Sequence, residues 1–113
     1  MESIHIPPDS QRRLIDLSRE TLESLVRGAK GPHHEIDDPY LRTSDYGAFV
    51  SLHKVEELRG CIGTCFPRGP LYETVIEMTE AAASRDHRVP PIRLSELPQI
   101  RICLLYTSPS PRD

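Results

Sequence analysis

The hydrophobic period of this chain changes near Ala48, from helical spacing to strict alternation, and that change decides what it can fold into. Upstream, in "PPDSQRRLIDLSRETLESLVRGAKG", Leu14, Leu17, Leu22, Leu25 and Val26 recur at spacings that share one helix face, and charged residues fill the rest. Pro7 and Pro8 precede Asp9 and Ser10, either of which can cap the helix, and Gly28 or Gly31 can end it. From Ala48 the segments "AFVSLHK" and "ELRGCIG" alternate with period two around a short polar turn, which predicts an antiparallel hairpin. After "CFPRGP", the residues Leu71, Val75, Met78 and Ala81 or Ala82 return to helical spacing, with Pro70 suited to the first turn. Arg85 to Pro91 breaks that helix, and "LSELPQIRI" runs towards another strand. The intervening "GPHHEIDDPYLRTSDYG" reads as a long loop. The expected class is α+β, an antiparallel sheet with flanking amphipathic helices.

At 113 residues and 37% hydrophobic content, the chain supplies one modest core. Its 14 basic and 17 acidic residues give a net charge of −3 without a block of either sign, which argues against nucleic acid as a partner. No apolar run is long enough to span a bilayer, and the N-terminus lacks the pattern of a signal peptide, so a cytoplasmic location is expected. Three cysteines suit reduced thiols better than a disulfide framework.

The stretch "LRGCIGTCFPRGPL", Leu58 to Leu71, is the richest in chemistry. Simple alternation places Leu58, Gly60 and Ile62 on one face and Arg59, Cys61 and Gly63 on the other. A cation beside a thiol favours the thiolate, so Cys61 is a candidate nucleophile with Arg59 as its activator. Arg59 can equally hold a carboxylate or phosphate of a small anionic ligand through its planar fork, a role that Arg59→Lys should weaken while leaving stability nearly intact. Cysteine also packs as a small hydrophobe, and both readings of Cys61 stay open. Gly60 and Gly63 keep the strand thin for a ligand or partner, with an unusual backbone angle expected at Gly63. In "SRDHR", Asp86 and Arg88 can pair with each other or reach Arg59; a helix-ending turn held by Asp86 is the plainer alternative. Cys61 and Cys65, with His33 and His34, make a poor metal set, because no second well-spaced pair exists. A Cys61 to Cys65 disulfide would have to bridge about 13 Å of extended chain. No P-loop, dinucleotide fingerprint or Ser-His-Asp arrangement is present, and no cofactor is expected.

The ordered blocks "FVSL", "LRGCIGTCFPRGPL", "AAASRDHRVPPI" and "LSELPQIRI" resemble the AMMECR family, whose bacterial and archaeal members are called AmmeMemoRadiSam system protein A. The chain departs from the usual family pattern at His87, Val89 and Cys65, so His87 is not a first-choice catalyst. The resemblance implies an α+β fold, and as partners a Memo-type protein resembling class III extradiol dioxygenases and a radical-SAM enzyme. Those associations leave two function classes: a component of a small-molecule or protein modification pathway, with Cys61, Arg59 and Asp86 catalytic and Arg59, Gly60, Gly63 and Arg88 binding, or a non-catalytic scaffold. Family members continue beyond this length. Residues 1–102 are therefore expected to be the N-terminal part of an AMMECR domain. The ending "CLLYTSPSPRD" resembles translated sequencing-adapter read-through, and residues 103–113 are set apart as a non-native tail.

Overall fold

Pro8 has no N–H to leave unsatisfied in a first helical turn, and helix α1 starts on it, running Pro8–Val26 with Pro7 as its N-cap. Asp9 and Ser10, expected as caps, lie inside the helix instead, and the Ser10 hydroxyl donates to Asp38 at 2.6 Å. At the other end Gly28 adopts φ +76°, which lets Gly28 and Ala29 return their N–H groups to the carbonyls of Leu25 and Ser24. The computed structural model describes residues 6–29, 36–44, 46–66, 69–86 and 88–107. His33, His34 and His87 lie outside them.

The region expected as loop contains one helical turn, α2, Pro39–Arg42. Its N-cap Asp38 accepts from the Tyr40 N–H at 2.9 Å and from Arg13 at 2.7 Å, so a short turn is tied to α1 and Leu41 is driven into the core. Strands β1, Gly47–Lys54, and β2, Glu57–Thr64, form the expected hairpin. Helix α3, Leu71–Ser84, packs across both strands and against α1. A 3₁₀ turn, Leu94–Gln99, then feeds β3, Ile100–Thr107, which pairs antiparallel with β1. Among the described residues the sheet order is β2-β1-β3 with the helices on one face, an α+β fold with an open three-stranded sheet. Residues 103–107, set apart by the sequence reading, continue β3, and Leu104 packs beside both core clusters.

Alternation along β1 buries Ala48, Val50 and Leu52 under the helices. Phe49, Ser51 and His53 consequently occupy the opposite face, with Cys61 and Gly63 of β2 opposite Ser51 and Phe49. Arg101, Cys103 and Leu105 of β3 complete that face, on which Leu105 is 65% exposed. The Ser18 and Thr79 hydroxyls, both fully buried, meet at 2.7 Å between α1 and α3, Ser18 donating to Thr79 while Thr79 donates to the Val75 carbonyl. Among the described residues no helix is long and apolar enough to cross a membrane.

The hairpin turn carries a local conflict. Val55 sits at φ +57° and is 75% exposed, so a β-branched residue takes a left-handed conformation with little packing in return. Val55→Asn should therefore stabilise the fold by about 1 kcal/mol, seen as a higher urea midpoint with an unchanged slope. An unchanged or lower midpoint would refute the strain.

Candidate functional site

Strand β2 does not alternate throughout. Leu52 pairs with Gly60 but the next residue, His53, pairs with Leu58, so Arg59 is an extra residue in a β-bulge. The bulge corrects the expected faces. Leu58 stands opposite His53, on the face away from the helices, and Arg59 reaches the 3₁₀ turn instead of sharing the face of Cys61.

The Arg59 side chain, only 7% exposed, grips Glu96 through two bonds of 2.9 Å, Nε to Oε2 and Nη2 to Oε1. Its Nη1 donates to the Pro90 carbonyl at 3.2 Å. Glu96 is held from the other side by the Arg93 N–H at 2.9 Å, and Lys54 Nζ lies 3.5 Å away. The hydrogen bonds from Arg59 draw the Glu96 carboxyl down to about 2, against the opposing effect of burial. The same bonds raise the Arg59 guanidinium. The fork expected to meet a ligand is thus closed on an internal carboxylate. Arg59→Lys, which cannot reproduce two parallel bonds, should therefore cost stability, where the sequence alone leads one to expect little loss. Lys54, Glu57, Arg59, Val89, Pro90 and Glu96 line an open groove of about 390 Å³ beside the pair.

Asp86 and Arg88 form a second unit. Asp86 Oδ1 accepts the Arg88 N–H at 3.0 Å and Arg88 Nε at 2.9 Å, and Oδ2 accepts Arg88 Nη2 at 2.6 Å. Both side chains then turn to one residue of β2: Oδ2 accepts the Cys61 N–H at 3.0 Å, and Arg88 Nη2 donates to the Cys61 carbonyl at 3.1 Å. Arg88, followed by these backbone N–H groups, holds the Asp86 carboxyl well below the usual carboxylate range. Asp86 and Arg88 pair with each other, as one of the expected alternatives had it; Arg59 is engaged elsewhere.

Gly60 and Gly63 are constrained for different reasons. Gly60 adopts φ +155°, and a Cβ there would come within 3.0 Å of the Ala82 carbonyl of α3. The unusual angle is therefore at Gly60, because the bulge bends the strand there. At Gly63 a Cβ would strike the ring of Phe49 on the opposite face. The Cys61 thiol, of intermediate exposure, stands on that face opposite Ser51. Cys65 is exposed, and among the described residues no three His, Cys, Asp or Glu side chains gather to hold a metal ion. Sequence reasoning missed Glu96, whose signal is an acid three residues after Arg93, the position from which a carboxylate reaches back to a helix cap.

A family model described as AMMECR1 matches residues 15–110. The chain belongs to the AMMECR1 family. An archaeal relative from Methanothermobacter thermautotrophicus is 36% identical over 106 residues, covering 93% of this chain and 55% of that protein. A second, from Methanosarcina acetivorans, is 37% identical over 89 residues, covering 76% and 45%. The crystal structure of the uncharacterised protein PH0010 from Pyrococcus horikoshii superposes with a TM-score of 0.73 at 30% identity, over 81% of this chain and 48% of that one. The chain spans about half the length of the curated relatives it matches. Within the AMMECR1 family, the hexapeptide Leu58 to Gly63 here combines a bulge, a buried ion pair and an edge clip around one thiol.

Proposed function

We propose that this AMMECR1-family chain belongs to a recognition component of a small-molecule or protein modification pathway, working in the cytoplasm with a Memo-type, dioxygenase-like protein and a radical-SAM enzyme. The sheet face that carries Cys61 is the surface offered to a partner. The observation that supports recognition over catalysis is that both cations near Cys61 are already engaged by carboxylates, Arg59 by Glu96 and Arg88 by Asp86, so neither is left unpaired for an anion or a thiolate there. Phe49, His53 and Leu58, with Cys61 among them, give that face a mixed apolar and polar character suited to a protein surface.

The test uses the full-length protein with every cysteine except Cys61 replaced by Ser, Cys65 and Cys103 among them, so that N-ethylmaleimide labels Cys61 alone. Labelling should weaken binding to the purified Memo-type or radical-SAM protein of the same genome by about tenfold or more, with the circular dichroism spectrum unchanged. Unaltered binding to both would overturn the reading. Loss of a turnover by Cys61→Ser with binding intact would replace it with the catalytic one.

A further inference from the structure

From the way Asp86 and Arg88 meet β2, we infer that they form an edge guard that keeps a second copy of this chain from adding to the sheet. Among the described residues strand β2 lies at the edge of the sheet, and its outward backbone groups are a template for another strand. At Cys61 the template is filled by side chains that imitate a neighbour: a carboxylate takes the N–H and a guanidinium supplies the carbonyl. One residue of a pairing strand would make the same two bonds.

The sequence of the edge explains why a guard is needed. From Cys61 to Thr64 the strand reads Cys-Ile-Gly-Thr, without charge and without proline, the two commonest devices against pairing. The bulge at Arg59 disrupts only the stretch before it. The guard is itself firmly placed: Asp86 is 5% exposed and joined to Arg88 by three bonds, while the Arg88 side chain is 65% exposed on the outer side of the edge. A second copy is the natural occupant, because antiparallel pairing of β2 with itself about Cys61 is self-complementary. The two Cys61 residues would then face each other as a hydrogen-bonded pair with Cα atoms about 5.5 Å apart, within the range a disulfide can bridge.

The geometry makes the test specific to this edge. In the full chain with Cys65→Ser and Cys103→Ser, adding Asp86→Ala and Arg88→Ala should raise the rate of diamide-induced Cys61 to Cys61 cross-linking by about tenfold, as expected on losing charge-assisted bonds that compete with pairing. Where the double replacement disturbs the fold by circular dichroism, Arg88→Ala alone decides, since it frees the Cys61 carbonyl and leaves the Asp86 turn in place. A folded variant that cross-links at the parent rate overturns the inference. So does faster cross-linking with no increase in sedimentation mass before oxidant is added, because edge pairing must precede the bond.

Discussion

Glu96→Ala should destabilise the fold by about 3 kcal/mol, the lower end for breaking a buried ion pair, because the groove beside it admits some water to the abandoned guanidinium. The charge that remains, Arg59, would keep the Pro90 carbonyl and the weaker attraction of Glu57. Replacing both partners, as Arg59→Met with Glu96→Leu, should return stability to within about 1 kcal/mol of the parent, since no charge is then left in the interior. Acid supplies an independent readout. Glu96 has its carboxyl lowered from 4.5 to about 2 in the folded chain, so its contribution is complete above 4.5 and disappears as the pH falls towards 2. Asp86 is shifted in the same direction and adds to the same acid loss. Urea midpoints measured across that window should fall less steeply in Glu96→Gln than in the parent. Parallel curves would show that the pair contributes nothing.

Gly60→Ala should destabilise by about 3 kcal/mol or more, combining a strained backbone angle with a collision against backbone that cannot rotate away. The atom met is the Ala82 carbonyl, on a helix held by Leu71, Val75 and Thr79 in the core. Relief requires lifting α3 from the sheet. Gly28→Ala is the matched control: its φ is also positive, at +76°, but a Cβ there meets nothing within 4 Å, so only the conformational penalty of about 1 kcal/mol applies. Equal losses at the two positions in thermal melts would mean that the contact with α3 carries no weight.

Helices α1 and α3 and the hairpin were legible because their apolar residues repeat locally, at Leu14 and Leu17, at Leu71 and Val75, and at Val50 and Leu52. The antiparallel α+β class follows from the same periods. What alternation cannot reveal is an inserted residue, since a period of two assumes that none is skipped, and alternation alone therefore puts Arg59 on the wrong face. Nor could it reveal a partner 37 positions away: Glu96 reads locally as one acid among leucines and a proline. The one-turn helix at Pro39 was hidden because four residues are too few to show a period. At Gly60 the sequence predicts a thin strand, but what comes close is not a ligand: it is the Ala82 carbonyl of α3, 22 residues further along the chain.

The bulge also separates what β2 needs for pairing from what it needs for holding the 3₁₀ turn. With position 59 passed over, Leu58 and Gly60 already face consecutive residues of β1, so the ladder is continuous without Arg59. The arginine is surplus to the hairpin, and its insertion gives the strand a projecting arm whose hand closes on the segment leading into β3. Two neighbouring residues thereby divide the labour of assembly: Gly60 lets the helix settle onto the sheet, and Arg59 latches the chain that returns to fill its far edge.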